Sequence, residues 1–387
     1  MTVRHGYAED MNARDAVCAL RGQIAQPQVD LVIFFASPDY DRDALAQALA
    51  IEFPNTNCIG CTTAGEITRD GYREGTLTGI SFSAQHFKSK ATLIPNLQAY
   101  RMEEGERIVR ETLGALDLGL PNAKSVPGQT FSMLLVDGMS KQEEVVVSSL
   151  NRFLDPIPLF GGSAGDGLNF GKTWVYCNGA FHADAAILTV FQTTCPFKVF
   201  KIDHFHPTDR KMVVTEADPN ARLVMEINAE PAAPAYARMV GLEAQELSPL
   251  IFAAYPVVVK IGGDYHVRSI QKVEPDGSLR FYCGIDEGLV LTVAHGEDLA
   301  DNLQRNLARI ENQLGETDMI LGFDCILRRL EAEQKQKTRE VSKVLSRHKV
   351  VGFCTYGEQF HSMHVNHTFT GVAIGAPRHR QFEHAVE

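Results

Sequence analysis

Residues 60–66 of this 387-residue chain are Gly60-Cys61-Thr62-Thr63-Ala64-Gly65-Glu66. A similar stretch returns near the end of the chain, and a shorter version lies in the middle. These are Gly352-Phe353-Cys354-Thr355-Tyr356-Gly357-Glu358 and Gly161-Gly162-Ser163-Ala164-Gly165-Asp166. The first and last copies keep one offset of 292 residues, from Gly60 to Gly352, and the same offset relates Thr76–Ile80 to Thr368–Val372. This agreement indicates an internal repeat.

Each copy follows an apolar run of strand length and a helical segment. The apolar runs are Leu31–Phe35, Phe131–Val136 and Ile320–Ile326. The order strand, helix, strand and small-residue turn predicts right-handed βαβ units. We therefore predict an α/β fold of two domains built on repeated βαβ units, with mixed, mainly parallel sheets and antiparallel hairpin additions. The turns would lie at the edge where open α/β sheets bind ligands.

Length and composition exclude several classes of protein. A chain of 387 residues predicts two domains. The formal net charge of −11 argues against nucleic-acid binding, and the absence of an 18-residue apolar run argues against a membrane span. Met1–Gly6 lacks the apolar core of a signal peptide. Eight cysteines without such a signal predict reduced thiols and a cytoplasmic location.

The sequence divides into four parts. Residues 1–27 predict a helical lead-in, and residues 28–205 predict the first α/β domain. Residues 206–377 predict the second domain, in which short strands around Asp276-Gly277 indicate an antiparallel insert ahead of the third unit. Residues 378–387 form a charged tail.

The three turns, together with Asn366-His367-Thr368, resemble those of FIST proteins. The resemblance covers a FIST-N part over about 28–200 and a FIST-C part over about 215–375. It implies a small-ligand sensory module in signal transduction. In place of the His-Asn-Gln-Thr often found in the family, this chain has Val365-Asn366-His367-Thr368.

A stand-alone FIST chain of this length resembles the NosP group of haem-binding nitric oxide sensors. That group pairs with histidine kinases in two-component regulation of biofilm formation. The resemblance thus implies haem as cofactor, nitric oxide as signal and a histidine kinase as partner. We also expect a homodimer and no enzymatic activity.

Haem iron takes a neutral imidazole, thiolate or thioether from the protein. Residues 358–367 carry His361, His364 and His367, whereas the equivalent residues 67–75 of the first unit contain no histidine. The histidines are therefore additions to the repeat. His364 and His367 are the first candidates for the haem iron, ahead of His361. An exposed polar hairpin loop and a zinc site shared by the three histidines are the alternatives.

His204 and His206 form a second candidate pair for haem, near the domain boundary. Sites often form between domains, and alternation along a strand would place both imidazoles on one face. A structural role is the alternative.

Cys58 and Cys61 form a lone CxxC motif. A structural zinc site would need a second pair, and Cys354 supplies only one more thiolate. Small apolar fillers of a buried strand and a zinc or thiol redox sensor are the two interpretations.

The turns and one basic residue form the candidate ligand pocket, in which the acids would face an amine, hold turn backbone or pair with Arg268. Its members are Cys61, Thr62, Thr63, Glu66, Ser163, Asp166, Arg268, Tyr356 and Glu358. The turn after Gly161 lacks the Lys-Ser/Thr of a P-loop, and no hydrolase triad surrounds Thr62 or Ser163. The sequence therefore favours a haem-based nitric oxide sensor. The alternative is a FIST module that binds an amino acid or another small metabolite without haem.

Overall fold

The computed structural model describes residues 2–120, 129–261 and 263–377. The predicted charged tail, 378–387, lies outside these residues. The described part contains four β-sheets, three of six strands and one larger, with helices packed on them. This architecture confirms the predicted α/β fold with mixed sheets built on βαβ units.

The first unit has a βαβ centre with flanking strands. Its elements are β1 (Val3–Ala8), α1 (Ala13–Ile24), β2 (Val29–Ala36), α2 (Arg42–Glu52), β3 (Asn57–Thr62), β4 (Glu66–Thr68), β5 (Gly71–Arg73) and β6 (Leu77–Ser83). The side chains of Asn12 and Asp41 accept backbone N–H bonds at the starts of α1 and α2, which explains where these helices begin. The lead-in thus contains strand β1 as well as a helix.

The second unit repeats this plan. Its elements are β7 (Phe87–Pro95), a 3₁₀ turn (Leu97–Ala99), α3 (Glu104–Gly114), β8 (Thr130–Val136), α4 (Glu143–Leu154), β9 (Leu159–Ser163), β10 (Val175–Cys177), β11 (Ala180–His182) and β12 (Ala185–Thr193). The next strand, β13 (Phe197–Ile202), belongs to the sheet of the third unit. β8 and β9 run parallel, while β12 runs antiparallel to both β8 and β7. The buried, apolar β8 therefore lies inside its sheet.

An antiparallel insert precedes the third unit, as the hairpin turn at Gly277 predicted. It contains β14 (Phe205–Asp218), β15 (Leu223–Ile227), β16 (Glu230–Pro231), α5 (Ala232–Val240), a 3₁₀ turn (Ala244–Glu246), α6 (Pro249–Ala254), β17 (Val257–Ile261), β18 (Asp264–Arg268), β19 (Ile270–Val273), β20 (Leu279–Phe281) and β21 (Val290–Gly296). Gly277 lies between β19 and β20 with a φ of 85°, a conformation that favours glycine.

The third unit closes the described chain. It consists of α7 (Leu299–Leu314), β22 (Thr317–Cys325), α8 (Ile326–Gln334), α9 (Thr338–Arg347), β23 (Val350–Thr355), β24 (Glu358–Phe360), β25 (Met363–Val365) and β26 (Phe369–Gly375). The bounds of β24, β25 and β26 follow those of β4, β5 and β6 at an offset of 292 residues, Glu66 to Glu358. The repeat found in the sequence is thus a repeat of structure.

The hairpin after each turn joins the sheet of another unit. β4–β5 extends the third unit, where Ile67 lies opposite Gly352. β10–β11 extends the first unit through β3, and β24–β25 extends the second, where Gln359 lies opposite Gly161. The three units therefore form a ring in which each completes the sheet of a neighbour.

The ring encloses an aromatic core to which all three units contribute. Phe35 stacks on Phe353 with ring centroids 4.6 Å apart, and Phe160 lies 5.4 Å from Phe323. Burial of these side chains supplies much of the free energy that holds the units together. Within the described residues, every helix is too short or too polar to cross a membrane.

Candidate functional site

The three turns contact one another at the centre of the ring. The N–H of Ala64 donates to the carbonyl of Cys354 at 2.9 Å, and the N–H of Cys354 donates to Gly65 at 2.7 Å. The N–H of Gly165 donates to the carbonyl of Thr62 at 3.0 Å. Backbone hydrogen bonds thus join the first turn to both others.

Glu66 ends the first turn and is fully buried. Its carboxylate accepts from the Thr63 hydroxyl, and Thr76 donates to it from the N–H at 3.0 Å and the hydroxyl at 2.7 Å. Burial raises the pKa of Glu66 to about 7. The carboxyl therefore fixes the turn to the following strand and titrates close to neutral pH.

Glu358 repeats this arrangement in the third unit. Its carboxylate accepts from the Thr355 hydroxyl and from the Thr368 hydroxyl at 2.6 Å. Burial raises the pKa of Glu358 to about 8. These contacts link the third turn, through Thr355, to the start of strand β26, through Thr368.

Asp166 holds the loop that follows the second turn. The Tyr356 hydroxyl donates to its Oδ1, and the N–H groups of Gly171 and Lys172 each donate to Oδ2 at 2.8 Å. Phe170 in the same loop stacks on Tyr356 with centroids 4.6 Å apart. The loop is therefore fastened to the third turn.

A cleft of about 290 Å³ lies where the strands end. Its walls come from the loop after β2, the first turn, the loop after the second turn and helix α8. Its ionisable lining residues are Asp39, Glu66, Glu74, Asp166, Arg329 and Glu333. The position agrees with the rule that open α/β sheets bind ligands at the carboxyl ends of their strands. We call this space the turn cleft.

Arg329 is the cation of the turn cleft. Its side chain is 9% exposed, and its guanidinium donates to Glu333 at 3.0 Å, to the Ala64 carbonyl at 3.2 Å and to Glu74. These bonds to protein oxygens use three of its five N–H groups. Arg329 is not among the predicted pocket residues, although the basic pair Arg328-Arg329 shortly after a buried strand is a usable signal.

The structure places the other predicted pocket residues differently. Cys61, Thr62, Thr63 and Ser163 are buried in the turns. Arg268 lies on β18 beside His364 and Cys283, and its Nε has no hydrogen-bond partner in the described residues. It does not line the turn cleft, because it belongs to the insert, which lies outside that cleft.

Tyr356 lines a second, smaller cleft of about 80 Å³ between the second unit and the insert. Arg222 from the insert also lines it and donates from Nη2 to Glu143 at 3.0 Å and to Glu144 at 2.7 Å. The N–H of Gly284 donates to Glu144 at 2.7 Å. These bonds dock the insert on helix α4.

The three terminal histidines lie in different surroundings. His361 is exposed at the tip of the hairpin, with a φ of 51°. His364 is buried 3.2 Å from the Gln359 amide, and His367 is buried edge-on against Phe205. Burial lowers the pKa of His364 to about 4 and that of His367 to about 3, so both imidazoles are neutral at pH 7.

His364 packs tightly against the third turn. A β-carbon on Gly357 would lie 2.3 Å from Cε1 of His364, so the ring fills the space beside this glycine. None of the five candidate histidines lines either of the two clefts described above. No group of three or more His, Cys, Asp and Glu side chains in the described ranges is placed to hold a metal ion.

His204 and His206 also differ from each other. The buried His204 ring bonds Glu331 at 2.9 Å through Nε2 and Arg328 at 2.9 Å through Nδ1. His206 is exposed, 3.8 Å from Glu297. The two rings therefore lie in different environments and not on one shared face.

The cysteines that the structure describes are all free thiols. Cys58 and Cys61 are buried in β3, and burial raises the pKa of Cys58 to about 12 and that of Cys61 well above its usual value. A protonated thiol is a poor nucleophile and metal ligand. As protonated thiols, Cys58 and Cys61 pack as small side chains in the buried strand β3.

Family comparison agrees with the repeat. A model of the FIST N domain matches residues 30–230, and a model of the FIST C domain matches residues 232–361. The two matches together contain all three turns. A comparison with curated proteins gives no match.

Proposed function

Since this chain belongs to the FIST family, we propose that it senses a small zwitterionic metabolite of amino-acid size bound in the turn cleft. FIST domains serve sensory signalling and small-molecule binding. The ligand's ammonium group would face the carboxylates, and its carboxylate would face Arg329.

The composition of the turn cleft is the observation that carries this proposal. Arg329 bonds oxygens of the described residues with three of its five N–H groups and has two more to turn toward a carboxylate, while the exposed Asp39 accepts one hydrogen bond in the same ranges, from Ser37 at 3.0 Å. The apolar side chains of Ile326 and Leu330 complete the walls. A volume of about 290 Å³ lies just below the usual range for pockets that hold drug-sized ligands, which suits a small metabolite.

Haem is the second candidate, supported by the resemblance to the NosP group. Buried imidazoles held neutral are in the form that binds iron, and Nδ1 of His367 has no hydrogen-bond partner in the described residues. Bound haem would supply an iron that takes nitric oxide. His364 lies against Gly357, so an iron bond to this residue would require the hairpin β24–β25 to move.

A histidine kinase as signalling partner also follows from that resemblance. In both versions, ligand binding would shift the protein between states that the partner distinguishes. A ligand changes that balance only as far as its affinities for the two states differ. A homodimer and zinc are further proposals, which size-exclusion chromatography with light scattering and elemental analysis would test.

Thermal unfolding with each of the twenty amino acids tests the first proposal. A ligand at a hundred times its Kd stabilises by about 2.7 kcal/mol, so one amino acid should raise the Tm by several degrees. Asp39→Asn should abolish that rise, whereas Asp301→Asn, an exposed change on α7, should keep it. If none of the twenty amino acids raises the Tm, the proposal is wrong.

An absorbance scan with added hemin tests the second candidate. A Soret band that shifts with nitric oxide and is lost in His364→Ala or His367→Ala would support it. Absence of the band in the unmodified protein would exclude haem and leave the metabolite proposal standing.

A further inference from the structure

A basic groove runs along helix α9 and shares no lining residue with either cleft. It has a volume of about 650 Å³ and lies between α9 and the edge hairpin β4–β5. Its cations are Arg73, Arg339, Lys343 and Arg347, and its one acid is Asp70. The whole chain carries 48 acidic and 37 basic residues, so this surface is positive although the chain as a whole is negative.

The three cations of α9 repeat every four residues, which places them on one face of the helix. Like charges at this spacing destabilise a helix. No acid offsets them: Arg339, Lys343 and Arg347 form no ion pair in the described part of the chain, and Glu340 bonds Lys337 at 2.7 Å. The repulsion among these three cations is therefore not compensated by any acid in the described residues.

The acid at the rim is already engaged. Asp70 accepts from the Tyr7 hydroxyl at 2.7 Å. The hairpin β4–β5 is also held at a fixed place on α9, so the two walls of the groove keep their separation. The N–H of Tyr72 donates to the Ser342 hydroxyl at 3.2 Å, and Gly71 lies so near Ser342 that a β-carbon would approach it to 2.3 Å.

We propose that this groove docks an extended acidic segment of a partner protein. Charges four residues apart on a helix rise by about 6 Å, and alternate side chains of an extended chain are about 6.6 Å apart. Asp or Glu at every second position of the segment would therefore meet successive cations. A DNA duplex or an anionic membrane is wider than the groove and would also face the rest of a chain whose net charge is −11, whereas a single extended segment lies within the groove.

The groove adjoins the turn cleft through two consecutive residues. Arg73 lines the groove, while Glu74 lines the turn cleft and bonds Arg329. The docking proposal itself rests on the charges of the groove and stands without the ligand proposal.

Fluorescence anisotropy with a labelled peptide of alternating Glu and Ser tests the docking surface. We expect binding at low salt that weakens as salt rises, and no binding of the matching Gln and Ser peptide. Arg339→Glu with Lys343→Glu should weaken binding by at least about tenfold, because it reverses two charges in the contact. Lys343→Gln alone should give a smaller loss.

Arg14→Glu with Lys211→Glu is the matched control. It makes the same change of charge at exposed positions on α1 and β14 and should leave peptide affinity within about twofold. An equal loss in this control would show that net charge alone is responsible and would overturn the proposal. So would absence of binding by the unmodified protein, or tighter binding of a short DNA duplex or of anionic vesicles that depends on Lys343.

Discussion

A β-carbon built on Gly65 would lie 1.8 Å from Nη1 of Arg329, so the guanidinium occupies space that only glycine leaves open. Gly65 also has a φ of 117°, a backbone conformation that other residues avoid. The first turn and helix α8 are thus matched to each other at the floor of the turn cleft.

Gly65→Ala should therefore displace Arg329 and destabilise the fold by about 1–3 kcal/mol through backbone strain. Any amino acid that raises the Tm of the unmodified protein should no longer do so. Gly114→Ala is the control, because nothing lies within 4 Å of a β-carbon at this exposed helical position. Thermal unfolding with and without the amino acid measures both effects. Unchanged binding in Gly65→Ala would contradict the role given to Arg329.

Stability should fall as pH rises from about 6.5 to about 8, and Glu358→Gln should remove much of that fall. Folded Glu358 keeps its proton to about pH 8, while the unfolded chain releases it near 4.5. The folded state then binds more protons, so the free energy of unfolding decreases by up to about 1.4 kcal/mol per pH unit and group. Glu66 contributes in the same direction up to about pH 7.

The buried imidazoles of His364 and His367 have the opposite effect on stability: below about pH 6.5 they make the free energy of unfolding decrease as pH falls. Unfolded histidine takes up a proton below about 6.5, but His364 and His367 stay neutral in the fold to about 4 and about 3. Their contribution to stability is therefore lost as pH falls below 6.5 and is constant above it. Urea unfolding at several pH values measures both trends. Glu103→Gln, at an exposed position, should follow the unmodified protein, and a Glu358→Gln curve with the unmodified slope would refute the assignment.

Arg222→Ala should loosen the insert from the second unit. The change leaves Glu143, 2% exposed, without its cation, and loss of one partner of a buried pair costs about 3–5 kcal/mol. Arg238→Ala removes an exposed cation paired with Glu230 and should cost less than about 1 kcal/mol. Urea unfolding followed by tryptophan fluorescence and circular dichroism compares the two. Equal costs would show that the buried pair does not hold the insert.

Thiol labelling should separate the two interpretations of the CxxC motif. Cys18 is exposed, whereas Cys58 and Cys61 are buried with raised pKa values. Native protein should react rapidly with a disulfide reagent at Cys18, and Cys18→Ser should remove that phase. Peptide mapping identifies the modified residue. Rapid labelling at Cys58 or Cys61 would instead favour the redox sensor.

The repeat made much of the fold predictable. An offset shared by Glu66 and Glu358 indicated equivalent strands, and apolar runs located the buried ones. The exchange of hairpins was not visible, because strand pairing between distant units leaves no local signal in a single sequence.

Turn glycines predicted a pocket at the carboxyl ends of the strands, and a cleft lies there; that it binds a ligand stays a prediction. Arg329 was not among the predicted residues, because a basic residue on a polar helix usually faces solvent. Arg268 was chosen instead, although the insert carries it to β18. The histidines after the third turn became candidates because three of them lie close together in the sequence. Their spacing does not show that His364 and His367 are buried, since burial depends on tertiary packing.

Exchange of hairpins around the ring has a consequence for synthesis of the protein. The second unit lacks its outer strands until β24 and β25 emerge, and the first unit's hairpin has no sheet to join until β23 exists. Native pairing must wait for nearly the whole chain, so a ribosome-bound fragment that ends before Gly352 should expose unpaired strand edges. Such nascent chains would depend on chaperones, and refolding should be slow for a protein of this size because its contacts span so much sequence.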